Sequence, residues 1–131
     1  MPKNIIKTEM APPPLGDYSQ AWAVTGAQLI FVAGQVSVDM KGNSIGTGDI
    51  VLQTRTVLED VKSVLECAGA GLKDVIKLNT YVTDIAEFRV KTREIRREYF
   101  PQDFPTHTLV EVKSLARPEF MIEIEAVAAL G

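Results

Sequence analysis

Apolar residues recur at the spacing of an α-helix in two stretches of the chain. In the first stretch one helical face carries Ile50, Val57, Leu58, Val61, Val64, Leu65 and Ala68, together with Thr54 at the same spacing. Asp49 is placed to cap the N-terminus of this helix, and Gly69 is placed to end it. The second stretch begins with Asp-Ile-Ala-Glu at residues 84–87, the pattern of a capping box, and Pro101 ends it. The sequence therefore predicts two amphipathic helices.

Around the helices, short apolar runs bounded by glycine, proline or polar residues predict β-strands. The predicted strands cover residues 4–8, 19–24, 29–33, 75–83, 107–112 and 120–128. The element order is then β-β-β-α-β-α-β-β, within a single domain spanning residues 1–131. The natural packing of these elements is a mixed six-stranded sheet with two helices on one face, which is an α+β fold.

The last two predicted strands alternate between an apolar and a polar face. One parity is apolar and is expected to face the helices: Val110, Val112, Ile122, Ile124 and Ala126. The other parity carries the ionisable groups and two apolar residues: His107, Leu109, Glu111, Met121, Glu123 and Glu125. A hairpin centred near Ala116 would place His107 opposite Glu125. It would also place Leu109 opposite Glu123.

This polar face has no helix left to cover it. Exposure of Leu109 and Met121 among charges is unfavourable, so we expect another subunit to cover them. An ionisable cluster at a subunit interface is a candidate ligand site. The alternative interpretation is that the charges line a wet channel or pair with cations across an interface.

Composition and charge argue against several other functions. The net charge of −3 gives no overall attraction to nucleic acid or to an anionic membrane. No apolar run approaches the roughly 18 residues that a membrane helix needs, and none near the N-terminus is typical of a signal peptide, so we expect a cytoplasmic protein. His107 and Cys67 are the only histidine and cysteine, which disfavours an intrachain disulfide or a usual zinc site.

The second predicted helix is basic. Its cationic residues are Arg89, Lys91, Arg93, Arg96 and Arg97. A solvated helix face is the usual explanation of such a pattern. An RNA-binding face is the alternative, and it is disfavoured because exposed aromatic residues are not interleaved with the basic ones.

Six segments, in order along nearly the whole chain, resemble the pattern of one known family. They are Gly-Asp-Tyr-Ser-Gln-Ala at 16–21, Phe-Val-Ala-Gly-Gln at 31–35, Gln-Thr-Arg at 53–55, Asp-Val at 74–75 with Tyr-Val-Thr-Asp at 81–84, Glu-Tyr-Phe-Pro at 98–101 and Ile-Glu-Ile-Glu-Ala-Val-Ala at 122–128. On these segments the chain resembles the RidA family, also called the YjgF family, some of whose members carry endoribonuclease L-PSP names. The resemblance implies a chorismate-mutase-like fold and a homotrimer with clefts between subunits. In active members it implies cofactor-free hydrolysis of enamines or imines, such as 2-aminoacrylate, to a 2-keto acid and ammonia.

The resemblance also implies roles for individual residues. Glu123 matches a glutamate that positions the attacking water, and Tyr18 and Gly34 match a tyrosine and a glycine that hold the ligand. His107 stands where the family has an arginine that grips the substrate carboxylate, and Leu109 is expected beside it in the substrate site. Arginine carries a permanently charged, planar guanidinium group that can make two hydrogen bonds to a carboxylate, whereas histidine is mostly neutral at pH 7. The difference implies a subgroup that lacks this arginine and acts on a substrate other than 2-aminoacrylate.

Two hypotheses from different classes remain. The first is a deaminase-type hydrolase in which Glu123 and Tyr18 are catalytic and His107, Gly34 and Leu109 contact a small substrate. The second is a non-catalytic trimer that binds a small metabolite or interacts with RNA or protein. Both are expected to work without a cofactor, a metal or a membrane.

Overall fold

The computed structural model describes residues 3–131. Met1 and Pro2 lie outside the described residues; they belong to the N-terminal segment that, from the sequence, is not typical of a signal peptide. The strands are β1 (Lys3–Ile6), β2 (Ala21–Val24), β3 (Gln28–Gln35), β4 (Val75–Val82), β5 (Thr106–Glu111) and β6 (Ile122–Leu130). The helices are α1 (Ile50–Cys67) and α2 (Ile85–Tyr99), and a 3₁₀ turn at Leu72–Asp74 precedes β4. The predicted order of helices and strands is confirmed.

Both helices begin where their capping residues predict. The Asp49 carboxylate accepts a hydrogen bond of 3.0 Å from a backbone N–H in the first turn of α1. The Asp84 carboxylate does the same in the first turn of α2, also at 3.0 Å. These bonds satisfy amide groups that have no partner inside the helix. Gly69 follows α1 with a φ of 80°, a left-handed conformation that glycine adopts without strain.

The six strands form two sheets rather than the single sheet expected from the sequence. β1 and β2 form an antiparallel pair, and the other four form a mixed sheet in the order β3-β6-β4-β5. Gly26 lies in the turn between β2 and β3 with a φ of 66°, a left-handed conformation that glycine adopts without strain. Lys3 links the smaller sheet to the start of β4 and to β6. Its ammonium group lies 3.3 Å from the Asp74 carboxylate and donates to the Ala129 carbonyl at 2.8 Å. The α+β class, with a mixed sheet and two helices, is confirmed.

The predicted hairpin of the last two strands is wrong, because β4 lies between β5 and β6. β4 pairs in parallel with β5 and antiparallel with β6. Parallel neighbours need a crossover connection, and α2 supplies it in a β-α-β unit. Glu123 is therefore opposite Tyr81, and Glu125 is opposite Asn79.

The core fills the space between the four-stranded sheet and the two helices. β6 contributes the parity that the sequence predicts, and all of it is buried: Ile122, Ile124, Ala126 and Ala128. The helices contribute Val57, Leu58, Val61, Leu65, Phe88 and Ile95. Each fully buried aliphatic or aromatic side chain contributes roughly 1.5–3 kcal/mol, which holds both helices on this face of the sheet. Among residues 3–131, no helix is long and apolar enough to cross a membrane.

On β5 the predicted facing is wrong. His107 pairs with Leu78 and Leu109 with Thr80, and these β4 residues are buried on the helix side. Val110 instead faces away from the helices and is 38% exposed. β5 is an edge strand with apolar residues at both parities, so its alternation alone does not decide which face is buried.

Candidate active site

The sheet face away from the helices carries exposed apolar residues. Leu29 and Phe31 of β3 lie on it and are 45% and 73% exposed. The sequence placed this apolar exposure on Leu109 and Met121, which is wrong, because both pack against the core. Neighbouring exposed apolar residues on one sheet face are a candidate contact surface for another protein.

A β-bulge in β3 brings Gly34 against Glu123 on this face. The pairing of β3 with β6 shifts between Val32 and Gln35, so that residues 33 and 34 oppose one residue of β6. A β-carbon built on Gly34 would lie 2.0 Å from Glu123 Oε2. Only glycine therefore lets the carboxylate lie directly against this stretch of backbone. We call Gly34 and Glu123 the bulge site.

The two carboxylates of β6 on this face differ in their partners. Glu125 accepts a hydrogen bond from the Tyr81 hydroxyl at 3.0 Å, and the Asn79 amide nitrogen lies 3.5 Å from the same hydroxyl. Glu123 makes no side-chain hydrogen bond or salt bridge to any residue in the described range 3–131. An ionised carboxylate is a strong acceptor, so Glu123 is the carboxylate available to water or to a ligand.

Gln53 in the Gln-Thr-Arg segment has a structural role that the sequence analysis did not identify. Its buried amide nitrogen donates to the carbonyls of Gly46 and Glu119, at 3.0 and 2.9 Å. Its amide oxygen accepts from the Met121 N–H at 2.9 Å. These bonds fix the loop that leads into β6, and so they help to set the position of Glu123.

His107 lies on the opposite face of the sheet from the bulge site. Its Nε2 is 2.8 Å from the hydroxyl of Thr80, which is 2% exposed. Burial, with a smaller contribution from the charge of Arg96, lowers the pKa of His107 to about 4. The imidazole is therefore neutral at pH 7 and does not offer a carboxylate the positive charge that arginine would.

Tyr18 is held near His107 by the segment that precedes β5. The Ser19 N–H donates to the Pro105 carbonyl at 3.1 Å, and the Tyr18 hydroxyl accepts at 3.1 Å from the backbone N–H three residues earlier. Tyr18, His107 and Leu109 line one open cleft of about 600 Å³. We call it the edge cleft, because β5 is the edge strand. The fold thus brings together three of the five predicted site residues.

Four arginines of α2 line the same edge cleft, where sequence reasoning predicted a solvated helix face. They are Arg89, Arg93, Arg96 and Arg97, which we call the arginine cluster. Their spacing of i, i+4, i+7 and i+8 places them on one side of the helix. This spacing was the signal available in the sequence, but only the fold shows that the side faces His107.

The predicted site residues form two groups that the sheet separates. Glu123 and Gly34 lie on the face away from the helices, whereas His107 and Leu109 lie on the helix side of the edge strand. Within one chain these groups do not meet at one ligand. The predicted pairing of His107 with Glu125 and of Leu109 with Glu123 is therefore corrected, because it required β5 and β6 to be neighbours.

Comparison with known proteins identifies the family. The chain matches the family model Endoribonuclease L-PSP over residues 8–130. It is 45% identical over 126 residues to a RutC family protein of Pyrococcus horikoshii, and this match covers 96% of the chain and 97% of the relative. A protein of Acinetobacter baylyi named 3-aminoacrylate deaminase RutC is 37% identical over 128 residues, or 98% of each chain. One of Dermatophagoides farinae named 2-iminobutanoate/2-iminopropanoate deaminase is 31% identical over 129 residues, again 98% of each.

A solved structure supports the same assignment. The Rid-family protein YyfB of Yersinia pestis matches with a TM-score of 0.87 at 34% identity, over 99% of this chain and 100% of that one. The match spans nearly the whole of both chains, so the two proteins share one fold. The chain belongs to the RidA/YjgF family.

Proposed function

We propose that the protein is a cofactor-free hydrolase of small enamine- or imine-containing acids, and that it works in clefts between the subunits of a homotrimer. In each cleft, the bulge site of one protomer faces the edge cleft of another. Two relatives are named as deaminases of such compounds, 3-aminoacrylate and 2-iminobutanoate or 2-iminopropanoate, which supports this class of substrate.

The observation that carries the proposal is the position of Glu123. Its carboxylate lies against the Gly34 backbone, without a hydrogen-bonding partner among residues 3–131, on a face that also exposes Phe31. A second protomer packed on Phe31 would cover the carboxylate while leaving it in contact with a bound ligand. The sheet between Glu123 and His107 is the reason that a second protomer is needed.

The reaction needs only water as co-reactant. An enamine first becomes its imine by gaining a proton on carbon from solvent and losing one from nitrogen to solvent. Glu123 accepts a proton from water as the water oxygen bonds to the imine carbon, and the proton passes to nitrogen. The hydroxyl proton of the resulting carbinolamine then passes through Glu123 to the amino nitrogen as the carbon–nitrogen bond breaks, so that ammonia leaves and the carbonyl forms. A positioned carboxylate of this kind contributes typically ~10²–10⁴-fold to the rate.

Tyr18 and His107 take different parts in the proposed site. Tyr18 lines the edge cleft and orients the ligand through its hydroxyl. His107 is neutral and engaged with Thr80, so it serves as an uncharged wall, with Leu109, rather than as the carboxylate grip. We therefore expect 2-iminopropanoate, the imine of 2-aminoacrylate, to be a poor substrate.

The direct test is ammonia release above the uncatalysed rate. Imino acids are generated in the assay by amino-acid oxidases, and 3-aminoacrylate is included. We expect turnover of at least one compound, a loss of about 10²–10⁴-fold in Glu123→Gln, and near-normal turnover in Glu125→Gln. Glu125→Gln is the matched control, because it makes the same change two residues away on the same face.

Two results would overturn the proposal. Equal activity in Glu123→Gln and wild type would remove this carboxylate from the mechanism. No turnover of any compound, together with binding of a small acid, would favour the non-catalytic binding module.

The assembly has its own measurement. Light scattering at micromolar concentration should give about three times the chain mass of 14.4 kDa. Phe31→Asp should lower that mass, because it places a charge on the proposed contact face. A wild-type monomer would contradict the shared cleft.

A further inference from the structure

The edge cleft has an unusual charge for a protein with a net charge of −3. The arginine cluster lines one wall, and Tyr18 and Thr108 line another. Arg97 forms a salt bridge with Asp17 at 2.7 Å, which neutralises one cation. Arg89, Arg93 and Arg96 form no salt bridge with any carboxylate in residues 3–131. Three arginines without a carboxylate partner therefore converge on one cleft.

Arg96 is the most fixed member of the cluster. Its guanidinium lies 5.0 Å from the centroid of the Phe88 ring. Its Nε donates to the Thr92 hydroxyl at 3.2 Å, and one Nη donates to the Arg89 carbonyl at 3.4 Å. Arginine has five N–H donors, so these bonds orient the group and leave others free for a ligand.

The surroundings of Arg96 favour an anionic partner. The side chain is partly buried, and burial lowers the pKa of Arg96, which means that removal from water disfavours its charged form. Asp17 acts in the opposite direction, but its carboxylate already pairs with Arg97. An anion in the cleft would restore the interactions that the partly buried guanidinium lacks.

We propose that Arg96 and Arg93 bind the anionic part of the ligand in the edge cleft, and that the preferred ligand carries two carboxylates. The assignment deepens the proposed function and rests on it for the identity of the reacting group. Arginine binds a carboxylate through two parallel hydrogen bonds, a role that neutral His107 does not fill. One carboxylate would balance only one of three unpaired cations, so a dicarboxylic imino or enamino acid matches the cleft better than a monocarboxylic one.

Calorimetric binding of two 2-oxo acids, the product class of the proposed reaction, tests the assignment without requiring turnover. The probes are 2-oxoglutarate, with two carboxylates, and 2-oxobutanoate, with one, at equal ionic strength. Wild type should bind 2-oxoglutarate at least tenfold more tightly. Arg96→Gln should weaken this binding by about ten- to a hundredfold, the usual effect of losing a charge-assisted bond.

Three further variants make the test specific. Arg55→Gln makes the same charge change on α1, where Arg55 pairs with Glu98 at 2.6 Å, and should bind like wild type. Arg93→Gln changes an exposed side chain that folding tolerates, and it should reduce the preference for 2-oxoglutarate. Arg96→Lys keeps the positive charge but cannot make two parallel hydrogen bonds to a carboxylate. Its affinity for 2-oxoglutarate should fall between those of wild type and Arg96→Gln.

Equal affinity of wild type for the two probes, or no binding of either, would overturn the assignment. Equal binding in Arg96→Gln and Arg55→Gln would also overturn it. These failures differ from failure of the proposed function. A protein that binds 2-oxoglutarate through Arg96 but hydrolyses no imine keeps the anion site and loses the enzyme. A protein that hydrolyses imines equally well without Arg96 retains the proposed enzyme activity and contradicts the anion site.

Discussion

The bulge site and the edge cleft are built in different ways. The bulge site is a backbone feature: a one-residue irregularity in β3 and a glycine without a side chain let one carboxylate lie against the chain. The edge cleft is made of side chains from an edge strand, a loop and one face of α2. The first retains the residues expected from the family resemblance, and the second departs from them at position 107.

In the proposed function, this difference separates water activation at the bulge site from ligand recognition in the edge cleft. Activating water requires one carboxylate at a fixed position, which the ladder register and the bulge provide. Recognition depends on which side chains line a cleft, and these can change while the sheet stays the same. We infer that this chain keeps the hydrolytic half of a family site and has changed the half that selects the ligand.

The largest expected effect comes from mixing two inactive variants. Tyr18→Ala damages only the edge cleft, and Glu123→Gln damages only the bulge site. If each site takes one half from each of two protomers, a mixed trimer contains some sites with both halves intact. Random 1:1 assembly should restore about one quarter of wild-type activity per site, from about one per cent in either variant alone.

The control for this experiment is a chain carrying both substitutions, mixed with Glu123→Gln. Every site in that mixture lacks the carboxylate, so no activity should return. If the mixture of Tyr18→Ala and Glu123→Gln stays inactive although mass spectrometry shows mixed trimers, both halves of the site lie in one protomer. That result would contradict the assignment of the bulge site and the edge cleft to different protomers.

Gly34→Ala tests how far the bulge site depends on its backbone. The new methyl group would occupy the position of the Glu123 carboxylate, 2.0 Å from Oε2, so the flexible side chain should turn away. We expect about a tenfold loss of kcat with little change in thermal stability, because only the end of a side chain is displaced. Gly71→Ala is the matched control, since a β-carbon there meets nothing within 4 Å. Similar kcat values for the two variants would show that the carboxylate position is not critical.

His107 should make the stability of the edge cleft depend on pH. Its pKa is about 4 in the folded protein and about 6.5 when unfolded, so the unfolded chain binds the extra proton between these values. This contribution to stability is complete above pH 6.5 and is lost as pH falls toward 4. Between pH 7 and pH 5, wild type should lose roughly 2 kcal/mol more than His107→Gln in urea unfolding at fixed protein concentration. Parallel losses in the two proteins would show that His107 is not held neutral.

The smallest effect concerns the salt bridge between Asp17 and Arg97. Both side chains are substantially exposed, at 38% and 53%, so Asp17→Asn should change the free energy of unfolding by less than about 1 kcal/mol. Loss of the carboxylate frees Arg97 and should strengthen binding of 2-oxoglutarate by about twofold. Weaker binding would mean that Asp17 positions the cluster instead of opposing it.

The sequence by itself determined the local structure and the family. Asp49 and Asp84 cap their helices because a carboxylate placed there satisfies free amide groups whatever the rest of the fold does. The buried parity of β6 was also readable, because its apolar residues Ile122, Ile124 and Ala126 alternate with Glu123 and Glu125. The six family segments then indicated Glu123, Gly34 and Tyr18 as site residues.

Tertiary structure alone decided how those residues are grouped. Strand order is not encoded in the alternation of a single strand, and the parallel crossover through α2 placed β4 between β5 and β6. That choice put His107 on the helix side and Glu123 on the open side of the sheet. It also turned one side of α2, where the sequence predicted a solvated charged surface, toward the edge cleft. Helix caps and apolar alternation follow from short-range interactions, whereas the composition of a cleft depends on which distant elements become neighbours.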